Sequence, residues 1–175
     1  MAKQEYNGTM KRAFLLGMLF SSACLSPYIF SATENASMRV SVNVLAACSI
    51  VANEMQFGNY NPAEADAIRN TTTINATCTS GTSAIIKMDD GSTEGEGSSL
   101  SAPIRRMIGS EGEYLEYAIY SDNGYSAVWG GTAETGVAMT GTGSVINLTA
   151  YGNVPALQSV SAGSYSDSIQ IEINF

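Results

Sequence analysis

The clearest pattern of apolar and polar positions lies at the end of the chain. Ile169, Ile171, Ile173 and Phe175 alternate with Gln170, Glu172 and Asn174. A period of two predicts a strand with one buried and one wet face. Its edge must be covered by an earlier segment or by another molecule, because an open apolar edge invites aggregation. A second alternation occupies residues 37–45, where Met38, Val40, Val42 and Val44 are interleaved with Arg39, Ser41 and Asn43. By patterning alone this is the first strand of a domain.

Between these two runs the chain is a series of short β-type stretches separated by turn residues. Phe57-Gly58-Asn59-Tyr60-Asn61-Pro62 is a turn cluster, and residues 63–67 could form one helical turn, too short to stand alone. The β-branched stretch 71–79 and the stretch 83–88 flank Ser80-Gly81 and are expected to form a hairpin. A further strand is expected over 113–120. Asp122-Asn123-Gly124 is a strong hairpin signal leading into 125–129, and 142–151 reads as a strand with a less regular alternation. No helical pattern follows the N-terminal region. The expected class is all-β, a sandwich or barrel.

The first 36 residues differ from the rest. Lys11 and Arg12 precede an apolar run over 13–25, the arrangement of a secretory signal and too short for a comfortable membrane span. Met10 could serve as the start, and cleavage is expected between Ser31 and Ala36. Ser22-Ala23-Cys24 is a weak lipoprotein-type site. If Cys24 leaves with the leader, Cys48 and Cys78 remain, and an even pair in an exported chain reads as a disulfide. Closing that loop should contribute about 3–4 kcal/mol in the chain-entropy treatment.

Composition narrows the chemistry. Histidine is absent, which removes the commonest general base and the commonest zinc ligand. No nucleophile motif replaces it, so the chain is not expected to be an enzyme, and no cofactor is implied. The formal net charge is −8 and basic residues do not cluster beyond Arg105-Arg106, which argues against a nucleic-acid partner. The acidic loop 89–99 could be imagined as a calcium site or a glycosidase pair. It lacks the D-x-D-x-D-G order, and no pocket-forming apolar residues surround it, so a solvated loop is the simpler reading.

Several motifs taken together carry a resemblance. They are Cys48-Ser-Ile50, Phe57-Gly-Asn-Tyr-Asn-Pro62, Thr77-Cys78, Tyr117-Ala-Ile-Tyr120-Ser-Asp122 and Trp129-Gly130, followed by a tail with Tyr151-Gly152 and Gly163-x-Tyr165-x-Asp167. In this order the chain, from about residue 42 to its end, resembles the spore coat protein U domain family, whose members include subunits of archaic chaperone–usher pili. The acidic 89–99 loop and the poorly marked cleavage site depart from the family pattern without touching its core.

The resemblance implies an immunoglobulin-like sandwich that lacks its last strand and is completed by a donor strand from a neighbouring subunit. It implies a signal peptide over 1–36, a donor segment over 37–47 and a pilin domain over 48–175. Met38, Val40, Val42 and Val44 would be the donor row, and Ile169, Ile171, Ile173 and Phe175 would line the acceptor groove. The implied partners are identical or related pilin subunits in a head-to-tail polymer, a periplasmic chaperone and an outer-membrane usher. The protein would pass through the periplasm to the cell surface, in a pilus supporting adhesion and biofilm formation. The alternative is a self-complete secreted spore coat or matrix protein whose 38–44 strand folds back into its own domain. A tip adhesin would be expected to carry two domains, more than this length suggests.

Overall fold

The computed structural model describes residues 30–175; the expectations for the leader, with Met10, Lys11, Arg12 and Cys24, lie outside the described residues. The chain divides into two units. The first is described only over 30–41, where it is exposed and has neither helix nor strand. The second, Val42–Phe175, holds the whole folded core.

That core is all-β. The strands are β1 (Cys48–Ala52), β2 (Ile68–Cys78), β3 (Ser83–Met88), β4 (Arg105–Gly109), β5 (Tyr114–Tyr120), β6 (Val137–Thr140), β7 (Val145–Val154), β8 (Tyr165–Ser166) and β9 (Ile171–Asn174). One sheet has six strands in the order β1-β2-β7-β5-β4-β8, and the other has three in the order β6-β3-β9. Every pairing is antiparallel. This is the sandwich architecture of the immunoglobulin-like class, in which alternate residues of both sheets form one core.

Strand alternation explains the core directly. Ile74, Ala76 and Cys78 of β2 face Ala84, Ile86 and Met88 of β3 across the sandwich, with Leu115, Tyr117 and Ile119 of β5 and Ala150 and Val154 of β7 beside them. Trp129 fills the centre, and its indole N–H donates to the Ile86 carbonyl at 2.9 Å, so burying the ring strands no polar atom. The expected disulfide is present, with Cys48 and Cys78 directly opposite in the β1–β2 ladder.

Four local expectations differ from the structure. Residues 71–79 and 83–88 are not a hairpin. β2 is paired on its two edges by β1 and β7, while β3 pairs with β6 and β9 in the other sheet. The Ser80-Gly81 turn is therefore a corner between sheets. Its Gly81 has φ +82° and donates to the Gly141 carbonyl at 2.8 Å. The apolar rows of β2 and β3 can bury each other only face to face, which a flat hairpin would prevent.

Residues 63–67 contain no helical turn: a turn at 62–63, where the Asn61 side chain accepts from the Ala63 N–H at 3.1 Å, is followed by a bend at 65–66. The Asp122 turn does reverse the chain, but only a single bridge, Tyr120 to Val128, follows it. Asp122 instead gathers the backbone N–H groups of Gly124, Ser126 and Ala127, and these bonds, led by Ala127, hold its carboxyl below the usual range. Nor do residues 37–45 form a strand within this chain.

Candidate functional site

Among the described residues, four strands have an outer edge without a ladder partner, β1 and β8 in one sheet and β6 and β9 in the other, and of these β1 and β9 come together. The two strands run close enough for Cα atoms to come within 8 Å, yet no ladder joins them. Asn53 still donates its N–H to the Thr73 carbonyl at 3.2 Å, and the chain then leaves the β2 ladder over residues 54–57. Thr72 donates its hydroxyl to the Asn53 and Glu54 carbonyls at 3.2 and 2.9 Å, and Asn70 donates its amide to the Gln56 carbonyl. Side chains of β2 thus hold this segment where backbone pairing has stopped. Met55 and Phe57 turn inward from it and lie over Gly152, where an added Cβ would come within 2.7 Å of the Phe57 ring.

The opposite wall, residues 165–171, is likewise held by side chains. Asp167 accepts from the Tyr117 hydroxyl at 2.7 Å, from the Ser92 hydroxyl at 2.8 Å and from the Ser92 N–H at 3.0 Å. Tyr165 pairs with Gly109 in β4 and donates its hydroxyl to the Ser161 carbonyl at 2.9 Å. Its ring rests where a Gly109 Cβ would stand, 2.6 Å away. Burial, and then the bond to Asp167, push the Tyr117 phenol well above its usual pKa, so it is a hydrogen-bond donor at every physiological pH. The Ser161 N–H holds the Glu113 carboxyl below its usual range and ties residue 161 to β5's start.

Between these walls lies a cleft of about 520 Å³, floored by Ile74, Met88, Met107, Ile119 and Ala150. A second, of about 740 Å³, adjoins it and shares Met55, Phe57, Met107 and Tyr165. Together they form a trough whose first part is mainly apolar and reaches the core, while polar groups of residues 56–60 and 161–165 line much of the second. Nothing in it is arranged as a nucleophile with a base, and among the described residues no three His, Cys, Asp or Glu side chains come together as a metal site would need. The carboxylates of the acidic loop serve the fold instead: Asp89 accepts from the Gly91 and Gln170 N–H groups, both at 3.0 Å, and Asp90 accepts from the Ser98 hydroxyl. The arrangement can receive an extended apolar segment.

Of the residues expected to form the acceptor groove, Ile169 and Ile171 line the first cleft. Ile173 packs against the core from β9, in register with Ile86, and Phe175 is 60% exposed beyond the end of the strand. Met38, Val40, Val42 and Val44 are 86, 86, 85 and 78% exposed. The wall and floor residues Met55, Phe57, Met107, Tyr117, Tyr165 and Asp167 were not expected as site residues from sequence. Phe57, Tyr117, Tyr165 and Asp167 do stand in the motifs that carried the family resemblance, and that was the available signal.

Comparison with known proteins bears on the family and the fold. Residues 34–172 match the Spore Coat Protein U domain. Protein U of Myxococcus xanthus is 32% identical over 155 residues, covering 83% of this chain and 87% of that protein. Among solved structures, a chain of the CsuC-CsuE chaperone-tip adhesion subunit pre-assembly complex, from archaic chaperone-usher Csu pili of Acinetobacter baumannii, superposes with a TM-score of 0.54 at 19% identity. The alignment covers 75% of this chain but 40% of the other, so the likeness is one of fold over less than half of that larger chain.

Proposed function

This chain belongs to the Spore Coat Protein U domain family, and from that premise we propose that it is a structural subunit of a surface pilus, assembled by donor-strand exchange on a chaperone–usher pathway. The observation that carries the reading is that the chain holds both an exposed apolar row and an apolar cleft that opens onto the core. Met38, Val40, Val42 and Val44 are each more than three-quarters exposed, while the trough between residues 52–57 and 165–171 opens onto the core. A segment of one copy laid into the trough of the next would add a strand at the unladdered β1 and β9 edges. Main-chain hydrogen bonds would hold it, and alternate side chains would fill the clefts.

The magnitudes are adequate. Four apolar side chains at about 1.5–3 kcal/mol each contribute on the order of 6–12 kcal/mol, an upper figure because the free segment already buries some surface. A head-to-tail contact of this kind does not close on itself and so propagates as a fibre. Before assembly the trough needs a stand-in, the role proposed for a periplasmic chaperone. Export through an outer-membrane usher, with adhesion and biofilm formation at the cell surface, completes the proposal.

The second reading, a self-complete coat or matrix protein, has the family's own description in its favour. It requires residues 38–44 to fold into their own domain, so the two readings differ in which copy of the chain the 38–44 row completes.

Val42→Asp separates the two. It places a charge in the middle of the donor row but outside the folded core. We expect it to abolish the heat-sensitive ladder of the exported protein on electrophoresis without boiling, while leaving the monomer folded. A ladder of normal length from this variant would refute the donor assignment.

A further inference from the structure

The donor row has an ambiguity that apolar packing alone does not resolve. Val40, Val42 and Val44 are identical, so sliding the segment by two residues keeps valines facing inward at successive sites. A one-residue slip is excluded because it turns the whole row outward. A two-residue slip, about 7 Å along the strand, leaves the middle valine sites unchanged and alters the apolar row only at its ends, where Ala36 or Ala46 enters. The polar row adds to this discrimination, and it contains one charge. Arg39 is the sole basic residue between positions 30 and 68, and it is exposed.

The rim of the trough carries the opposite sign on each side. On the 53–57 wall, Met55 and Phe57 point inward while Glu54 and Gln56 are exposed. On β9, Ile171 and Ile173 pack on the core while Glu172 lies on the outer face, its side chain 60% exposed and 2.5 Å from Lys87. A strand inserted between these walls with Met38, Val40, Val42 and Val44 inward turns Arg39 outward, to the solvent side on which Glu54 and Glu172 are exposed. Directly opposed side chains on one face of paired strands stand about 4.5–5.5 Å apart at Cβ, and diagonal ones about 7–8 Å, within reach of an arginine.

Building on the donor-strand reading above, we propose that Arg39 sets the register and partner of that strand by meeting the acidic rim, Glu54 and Glu172, of a second copy of this chain. The apolar row supplies affinity. The single charge supplies selection, because a shift by two residues carries the guanidinium away from the acids while the valines stay buried. The same charge favours a rim with this pattern over one that is neutral or basic.

The test uses the full exported chain and follows assembly by the heat-sensitive ladder at low and high salt. Arg39→Glu leaves the apolar row intact and is expected to slow or shorten assembly by about two- to fivefold at low salt, the range for an exposed ion pair. The defect should shrink at high salt as screening removes the repulsion. Combining Arg39→Glu with Glu54→Arg or Glu172→Arg is expected to restore assembly at low salt. Normal assembly of Arg39→Glu at low salt, or restoration by neither partner, overturns the proposal. Val42→Asp runs in parallel: if it also assembles normally, the donor-strand reading itself fails, whereas a block by Val42→Asp with a normal Arg39→Glu removes only the role given to Arg39.

Discussion

The Tyr117 hydroxyl donates to Asp167 Oδ2 at 2.7 Å, joining the middle of β5 to a wall of the trough fifty residues later in the chain. Tyr117 packs in the core cluster, and Asp167 precedes β9 and lines the first cleft. One bond therefore couples core packing to the position of a groove wall.

Tyr117→Phe should cost about 1.5–3 kcal/mol at neutral pH, the range for a hydrogen bond to a charged group. It should also change the alkaline limb of stability. The folded phenol holds its proton above the unfolded value of about 10. This contribution is complete below that pH and is lost progressively as pH rises above it, because the unfolded chain then releases a proton that the folded chain retains. Urea midpoints measured from neutral pH into the alkaline range should fall less steeply for the phenylalanine variant than for the parent.

Arg105 is 1% exposed and carries its charge into the sandwich with no carboxylate in salt-bridge contact among the described residues. Its guanidinium donates to the carbonyls of Asp89 at 2.9 and 2.5 Å and Trp129 at 2.8 Å, while Nη1 has no partner among the described residues. Burial lowers its pKa, and Tyr117 with Asp89, Asp90 and Asp167 opposes that shift. Arg105→Leu removes the buried charge but strands those carbonyls, so a loss of more than about 3 kcal/mol is expected. Soluble yield and urea unfolding would report it, and a variant as stable as the parent would show that water can replace the guanidinium.

Gly152 is where Met55 and Phe57 lie against β7. Gly152→Ala should push both side chains off the sheet, at a cost of about 1–3 kcal/mol for overpacking. The displacement narrows the trough from one wall, so assembly should fall by more than the drop in melting temperature alone explains. Comparing melting temperature with ladder length at a temperature where the variant is fully folded separates the two effects.

Replacing Cys48 and Cys78 together by serine should lower stability by about 3–4 kcal/mol. The bridge joins β1 to β2 at directly opposed positions, so its loss should free the β1 edge first. Hydrogen exchange at the N–H groups of residues 48–52 is expected to accelerate before exchange in β2 and β7 does.

The sequence by itself determined the fold class, most of the strands and the disulfide. Alternation of the kind seen in Leu115, Tyr117 and Ile119 depends on local geometry, since a strand turns each successive side chain to the opposite face. The cysteine pairing followed from counting. What alternation does not contain is the identity of the neighbouring strand. Residues 71–79 and 83–88 look like a hairpin because they are adjacent and similar, yet they lie in different sheets. β2 makes its longest ladder with β7, from Ile68 opposite Val154 to Thr77 opposite Val145. The trough was invisible for the same reason. Its walls come from residues 52–57 and 165–171, each held by hydrogen bonds that span fourteen or more positions, such as Asn70 to Gln56 and Tyr117 to Asp167. Hydrophobic periodicity reports which face of a segment avoids water. Which segment then covers that face is decided by packing and hydrogen bonding between distant parts of the chain, and only the tertiary structure carries that information.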